Sequence, residues 1–389
     1  MELLFCTSQQ ANEHPYRFPG TGIQVYSFEE VMYHVYHYWK QSVDDVTSPN
    51  LGAWVHDTLG LSRIAVKIKE ITKIEPFSER MLAFLKIIPY FNNYEIEAIR
   101  PHFERWEKRL EWETYKERAD DLVNRGEPGK AISLYRRALQ YEENIPVLNN
   151  LSVAYMQLDN PDEACRCLKR ALAISKSKEN EKSNWELLLH YGEALIAAKH
   201  FEEALHTIEL AAQTAPKSAD PDILYLKGEL AAMTGKSDEA ISFLEQAIAL
   251  SPEEQYVFRL SDVYATRRQF EKALEILAKS KQSLPCLMKT AELHNKADNL
   301  PAAISAIRKA IEIKSGFVEL WVRLARYNRL NYDLVSAEEA ITKAMSLDSG
   351  NERVRLELAR IQKNMGQTRA YQQLLKGILS EFKGRYRDL

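Results

Sequence analysis

The sequence has little glycine and proline, the residues that most often interrupt regular structure, with 14 of each among 389 residues. Long runs of alternating apolar and polar residues, the pattern of half-buried strands, are rare. These shortages exclude a large sheet and favour a mainly α-helical chain. A single ordinary core is excluded too, because a chain of this length usually divides its core among several units.

Cysteine and long apolar runs are also scarce. The four cysteines, Cys6, Cys165, Cys167 and Cys286, show no paired spacing, which predicts a reducing, cytoplasmic environment. Cys165 and Cys167 lie two residues apart on a predicted helix and face different ways, so we expect buried packing and not a metal or redox pair. No apolar run reaches about 18 residues and the start lacks a signal-peptide pattern, so the sequence predicts neither a membrane span nor export.

The motifs of catalysis are missing. The sequence has no phosphate loop, no dinucleotide-binding glycine fingerprint, no His-Glu-x-x-His motif and no recognisable nucleophile. His34 and His37 lie three residues apart, but no acid or cysteine is spaced to complete a metal site with them. We therefore predict a protein that is not an enzyme, with no catalytic residues, no metal and no cofactor.

What the sequence does contain is an alanine that recurs every 30 to 40 residues along the last two thirds of the chain. It stands at Ala131, Ala164, Ala204, Ala240, Ala273, Ala303, Ala337 and Ala370. A small residue precedes most of these alanines by 12 positions, and a large apolar residue follows by four. Each alanine thus belongs to the second of two paired helical patterns. Turns between the two are predicted near Gly126, Asp159-Asn160, Ala198-Lys199, Gly235, Arg268, Asp298, Asn331 and Gly366.

This spacing resembles the tetratricopeptide repeat, a 34-residue helix–turn–helix unit. Pieces of the family signature stand at Trp321, Leu324 and Ala325, and at Leu260 and Tyr264. Seven repeats are clear, and an eighth, over about residues 351–382, is interpreted as a degenerate cap. The resemblance implies an all-α solenoid, a right-handed superhelix of hairpins whose first helices line a concave, peptide-binding groove.

Residues 1–107 lack the repeat, and we predict that they form a small, mostly helical domain in front of a solenoid over residues 108–389. Two β-prone runs, residues 3–6 and 23–26, flank a stretch with proline and glycine, which predicts a loop or one short β-ribbon. Ser27 and Glu30 form a capping box that predicts a helix over residues 28–41, rich in aromatic residues that we expect to be buried. Further helices are predicted over residues 50–59, 62–73 and 76–90, followed by one long helix from residue 95 into the first repeat.

Residues 54–68 partly resemble a DNA-binding helix-turn-helix. Gly60 fits the turn, and Val66 fits the apolar position six residues later. His56, however, stands where a small residue is expected, and the region is not basic enough to hold a phosphate backbone. An ordinary packed helix pair is favoured, and a peptide-sensing transcriptional regulator with a DNA-binding N-terminal domain is kept as the alternative function.

The chain is divided in charge, with 24 Lys and Arg against 17 Asp and Glu in residues 253–389, and 28 against 38 in residues 1–252. In tetratricopeptide domains the residue before the usual Leu-Gly pair lines the groove. That position holds Arg259, Lys289 and Arg323 in three successive repeats, and Arg326 follows one turn later. We predict that these four residues form a cationic strip for an acidic segment of a partner; an ordinary solvated face is the alternative.

The family also contains a carboxylate clamp for acidic C-termini, and Lys116 and Asn150 stand at clamp-like positions. Both are candidate peptide-binding residues. Asp120, Glu186 and His190 replace other clamp residues, so the sequence does not favour a standard clamp. It predicts a scaffold or adaptor of a bacterial-type cytoplasm, with another protein or a peptide as its partner and with neither a membrane nor a nucleic acid.

Overall fold

The computed structural model describes residues 9–177 and 184–381, and in these ranges the chain forms 23 α-helices and one two-stranded ribbon. This confirms the mainly α fold. Packing divides the chain into two compact units, Met1–Ala198 and Lys199–Leu389. The domain boundary after residue 107 stays a prediction. None of the described helices is both long and apolar enough to cross a membrane.

The first unit contains the ribbon and twelve of the described helices. The antiparallel ribbon pairs β1 (Tyr16–Arg17) with β2 (Gln24–Val25). The helices are α1 (Gln9–Glu13), α2 (Phe28–His37), α3 (Trp39–Thr47), α4 (Pro49–Asp57), α5 (Ser62–Ile71), α6 (Phe77–Leu85), α7 (Asn93–Glu107), α8 (Glu111–Asn124), α9 (Pro128–Tyr141), α10 (Ile145–Gln157), α11 (Pro161–Ser177) and α12 (Trp185–Ala197).

The second unit consists of eleven further α-helices and one short 3-10 turn at Lys217–Ala219. The helices are α13 (Phe201–Thr214), α14 (Asp220–Met233), α15 (Ser237–Leu250), α16 (Glu254–Thr266), α17 (Phe270–Lys279), α18 (Leu284–Lys296), α19 (Leu300–Ile313), α20 (Val318–Leu330), α21 (Leu334–Leu347), α22 (Glu352–Asn364) and α23 (Thr368–Glu381).

The N-terminal helices α2 to α7 enclose one hydrophobic core, which also takes side chains from the ribbon. Phe28 and Trp39 are buried in it, whereas Tyr33 is half exposed, so the predicted aromatic layer is only partly buried. Ser27 caps α2 as predicted, since its hydroxyl oxygen accepts a hydrogen bond from the Glu30 amide at 3.2 Å. The ribbon confirms one of the two options for this stretch, although its first strand is Tyr16–Arg17; residues 3–6 lie outside the described residues.

Two predictions of long helices are wrong. The helix expected over residues 28–41 stops at Tyr38, because Trp39 turns into the core and meets the rings of Phe103 and Trp106 edge-on, with centroids 5.2 and 5.0 Å away. The helix expected from residue 95 into the first repeat also breaks, between α7 and α8. There the Glu113 carboxylate accepts the Leu110 amide at 2.8 Å and starts a new helix without glycine or proline.

Side chains nevertheless hold the N-terminal helices against the first repeat. Gln41 donates from its side-chain amide to the carbonyl of Arg118 at 2.8 Å. The Arg118 guanidinium pairs with Asp44 at 2.6 Å, and Lys40 pairs with Glu117 at 2.7 Å. Because these contacts join α3 to α8, the junction is fixed by packing and not by a continuous helix.

The repeat alanines occupy the positions predicted for them. Seven of the eight have no exposed surface, and the small residues at the matching position of the first helices are buried too. The exception is Ala370, which is half-buried in the last described repeat, as suits a cap. A Cβ atom added at Gly228 would lie 2.7 Å from Leu244 Cγ, so the helices of this hairpin approach as closely as the small residues permit.

Each predicted turn is confirmed by a residue in the left-handed region of the backbone. These residues are Gly126, Asp159, Lys199, Gly235, Arg268, Asp298, Tyr332 and Gly366, with φ between 55° and 80°. Five are the predicted residues, Asp159 and Lys199 each belong to a predicted pair, and Tyr332 follows the predicted Asn331. A left-handed residue after a helix lets the next amides bond back to its last carbonyls, which is why one such position recurs in every hairpin.

Candidate functional site

The four residues of the predicted cationic strip lie on the first helices of their repeats, and three of them form ion pairs. Arg259 on α16 pairs with Glu229 on α14. Lys289 on α18 pairs with Asp262 on α16 at 2.5 Å. These two pairs bridge neighbouring first helices, so this part of the strip is a row of alternating charges.

Arg323 and Arg326 differ from the other two because they line a groove between α18, α20 and α22. The groove has a volume of about 460 Å³. Its lining residues are Glu292, Asn295, Lys296, Glu319, Val322, Arg323, Arg326, Tyr327, Arg353, Leu356, Glu357 and Arg360. We call this feature the α20 groove, since α20 contributes the central residues.

The α20 groove has more cations than carboxylates, because two of its carboxylates are each shared by two arginines. Glu319 pairs with Arg323 and with Arg353, both at 3.0 Å. Glu357, which is almost fully buried, pairs in the same way with two further arginines. These are Arg329 at 2.6 Å and Arg360 at 3.2 Å. A carboxylate shared by two guanidinium groups cannot neutralise both, so each cluster keeps a positive charge.

Arg326 adds a charge that no carboxylate in the described ranges balances. It is exposed, and it makes no ion pair with any residue in the described ranges. Beside it, Val322 and Tyr327 form a buried apolar surface, and Leu356 is half-buried across the groove. The α20 groove therefore offers a guanidinium free to bind an anion next to a surface that fits apolar side chains.

The sequence located only part of this site. Arg353, Glu357 and Arg360 belong to the eighth repeat, which the sequence predicts to be a cap. Their spacing of four and three residues on one helix was the available signal, since it places all three on one face of α22.

The clamp-like pair Lys116 and Asn150 converges on a carboxylate of the chain itself. The Lys116 ammonium pairs with Asp120 at 2.7 Å, and the Asn150 amide donates to Asp120 at 2.8 Å. The Tyr135 hydroxyl donates to the same carboxylate at 2.6 Å. Asp120 thus occupies the space between the two candidate residues, and their role in peptide binding stays a prediction.

The remaining candidate residues of the first unit have structural surroundings. His34 is buried between Thr21 and Ser42, with ring nitrogens 2.7 and 3.1 Å from their hydroxyl oxygens, and burial lowers its pKa to about 4. Cys165 and Cys167 are buried as predicted, and burial raises the pKa of the Cys167 thiol to about 11. Across residues 9–177 and 184–381, no three His, Cys, Asp or Glu side chains cluster as a metal site.

The exposure of one side chain also bears on the partial resemblance of residues 54–68 to a DNA-binding helix-turn-helix. Gly60 does lie in the turn between α4 and α5, with φ of 69°. Val66, the residue at the apolar position, is 56% exposed instead of buried against α4. The pair therefore packs as an ordinary hairpin, as the sequence favoured.

Comparison with known proteins agrees with the repeat architecture. Two family models described as tetratricopeptide repeat match the chain, one over residues 146–177 and the other over residues 192–255. No curated protein sequence matches it.

Several solved structures are similar to the chain. The C-terminal part of a tetratricopeptide protein from Cytophaga hutchinsonii is 19% identical, with 62% of this chain and 98% of that one covered and a TM-score of 0.40. A tetratricopeptide protein from Parabacteroides merdae is 16% identical, with 64% and 98% covered and a TM-score of 0.43. YrrB, titled a tetratricopeptide protein with an unusual peptide-binding site, is 17% identical, with 47% and 95% covered and a TM-score of 0.35.

The matched segments coincide with hairpins of the fold. Residues 146–177 span α10 and α11, and residues 192–255 include the whole α14–α15 hairpin with its buried Gly228 and Ala240. The period of buried alanines and the left-handed turns extend the same unit beyond the matched residues. The chain therefore contains tetratricopeptide repeats, which the family models match over residues 146–177 and 192–255.

Proposed function

We propose that this protein is a non-enzymatic scaffold that holds an acidic peptide or helix of a partner protein in the α20 groove. Tetratricopeptide repeats are protein-interaction units, and the α20 groove supplies the chemistry for one kind of partner. The observation that carries the proposal is Arg326, an exposed guanidinium without an ion pair among the described residues, in a groove whose other arginines share their carboxylates.

The charges and the surface beside them define the ligand. An aspartate or glutamate side chain would bind Arg326 through two parallel hydrogen bonds, a geometry that lysine does not offer. Apolar side chains of the ligand would cover Val322 and Leu356. The proposal therefore specifies a segment in which acidic and apolar residues are mixed, and not a purely acidic tail.

The four strip residues contribute unequally in this proposal. Arg323 and Arg326 contact the ligand, whereas Arg259 and Lys289 are held by Glu229 and Asp262 and add only a distant charge. Lys116 and Asn150 are not part of the site, since Asp120 already binds both. The cytoplasmic location and the bacterial host stay predictions.

Fluorescence anisotropy with labelled peptides tests the proposal. The probe mixes Glu and Leu over about 12 residues, and its control has Gln in place of every Glu. We expect the full chain to bind the Glu peptide more tightly, with affinity that falls as salt rises, because exposed charges are screened. Arg326→Glu should weaken binding about tenfold or more, and Arg259→Glu should weaken it much less.

A matched control keeps the charge change but moves it away from the groove. Lys309→Glu and Lys343→Glu reverse two exposed cations on the second helices α19 and α21, and binding should be unchanged. Circular dichroism should show intact helices in every variant. Equal affinity for the Glu and Gln peptides, or equal loss in Arg326→Glu and in the control, would contradict the proposal.

A further inference from the structure

A second groove lies in the first unit, between the helices α4 and α5. Its volume is about 480 Å³. The walls are formed mainly by small or apolar residues, among them Gly52 and Ala53 on α4 and Ala65 and Val66 on α5. Small residues leave the groove open, and Val66 at its edge is 56% exposed despite being apolar. We call this feature the α5 groove.

Four exposed cations lie on α5 and in the turn after it. Arg63, Lys67, Lys69 and Lys73 are all exposed, and none of them makes an ion pair or a side-chain hydrogen bond with the described residues. Only Glu70 offers an opposite charge on α5. One of the four cations, Lys69, lines the apolar groove, and on α4 the Asp57 carboxylate pairs with the lining residue His56 at 2.7 Å.

The helical spacing places the charge next to the apolar surface. Val66, Lys69 and Lys73 are separated by three and four residues, so they follow one face of α5 and continue into the turn that ends it. Lys69 itself lines the α5 groove. A ligand that covers Val66 therefore comes close to Lys69, and Lys73 follows two residues after the end of α5.

We propose that the α5 groove binds an amphipathic helix of a partner protein, with acidic residues along one edge of its apolar face. A groove between two packed helices accepts a third helix, whose apolar residues at positions i, i+3, i+4 and i+7 fill it. The ten residues of α5 extend about 15 Å, which matches a ligand helix of about ten to fourteen residues. Glutamates of this helix pair with Lys69 and Lys73.

Duplex DNA is the other ligand that four unpaired cations could attract. Phosphates would satisfy the charges but would leave the apolar walls of the α5 groove in contact with water. The exposure of Val66 also removes the core packing that a helix-turn-helix would need at that position. The combination of apolar walls and cations therefore favours an acidic amphipathic helix. This site is separate from the α20 groove, and neither proposal depends on the other.

Selection from a displayed library of amphipathic helices of about 14 residues tests the inference on the full chain. The counter-target is the triple variant Val66→Glu, Lys69→Glu, Lys73→Glu, whose changed residues are exposed and so should leave the fold intact. We expect that the wild-type chain alone enriches helices with apolar residues at positions i, i+3, i+4 and i+7 and with a net negative charge. The selected peptide should bind the triple variant at least about tenfold more weakly, while Lys309→Glu, Lys343→Glu leaves binding unchanged.

Four results would overturn the inference. The selection could enrich nothing, enrich neutral or basic helices, or enrich the same helices on both targets. The fourth result is that Arg326→Glu removes peptide binding whereas the triple variant does not. Two parallel measurements identify other occupants. If the chain binds duplex DNA at moderate salt but no peptide, and the double variant Lys69→Glu, Lys73→Glu abolishes DNA binding, the groove is assigned to nucleic acid. A dimer in sedimentation that Val66→Glu dissociates would assign it to a second copy of the chain.

Discussion

The N-terminal core and the core of the late repeats are built from different side chains. The N-terminal cluster, which packs α2 to α7, has 21 buried hydrophobic residues and no alanine. The cluster formed by α18 to α22 has 17, of which eight are alanine. The repeats thus bury small side chains at a fixed period and bring helices close, whereas the N-terminal helices fill their core with large, irregularly placed rings and branched chains. The repeat core is therefore sensitive to added volume, and the N-terminal core is sensitive to lost volume.

The largest effect is expected from removing volume in the N-terminal core. Phe103 has no exposed surface and packs against Trp39 and Phe77. Phe103→Ala should lower the free energy of unfolding by about 3–5 kcal/mol, because it leaves a cavity that large neighbours cannot close. Urea unfolding followed by tryptophan fluorescence measures it. Tyr94→Ala, an exposed aromatic on the same helix, is the control and should change little. Equal midpoints for both variants would show that this core tolerates lost volume.

Adding volume to the repeat core should have a smaller effect. Ala240 is fully buried at the close approach of α14 and α15, near Gly228 and Leu244. Ala240→Leu should cost about 1–3 kcal/mol through overpacking. Ala370 occupies the same repeat position in the cap but is half-buried, so Ala370→Leu is a matched control with little expected cost. Thermal unfolding by circular dichroism compares the two, and an equal cost would mean that the alanine period does not mark close contacts.

The smallest change in stability is expected from replacing a buried acid in the N-terminal region. Burial raises the pKa of Asp45 in the N-terminal region to about 6, from an ordinary value of 3.8. The native state therefore binds more protons than the unfolded state between these pH values, and this group's contribution to stability is lost as pH rises through that window. Asp45→Asn keeps an oxygen that accepts the Tyr16 hydroxyl and should gain on the order of 1–2 kcal/mol above about pH 6.

The pH profile separates this effect from a change in packing. The gain of Asp45→Asn should disappear below about pH 4, where Asp45 is protonated in both states. Glu70→Gln removes an exposed acid from the same region and should give no such profile. Urea midpoints measured between about pH 3 and about pH 8 test this profile, and a gain that is constant with pH would contradict the role of burial.

Much of the repeat fold could be predicted because its determinants are local. The alanine period and the breaks between helices located all eight turns to within one residue of the left-handed position. Each turn depends on a few residues that are adjacent in sequence, so the pattern can be read without knowing the tertiary contacts. The candidate site was less predictable. The register of Arg323 and Arg326 was found, but their groove partners Arg353 and Arg360 lie in the next repeat.

The sequence by itself determined the repeat unit, its close-packed alanines and the mainly helical class, since all three follow from the spacing of small and large residues along one helix pair. Tertiary structure decided where α2 and α7 end, which carboxylate each arginine shares, and that Asp120 lies between Lys116 and Asn150. Trp39 meets Phe103 and Trp106 across more than sixty residues of chain, and Arg353 reaches Glu319 from the next repeat. Such contacts form only when the helices are packed. The residues between the two partners do not indicate that the partners will meet.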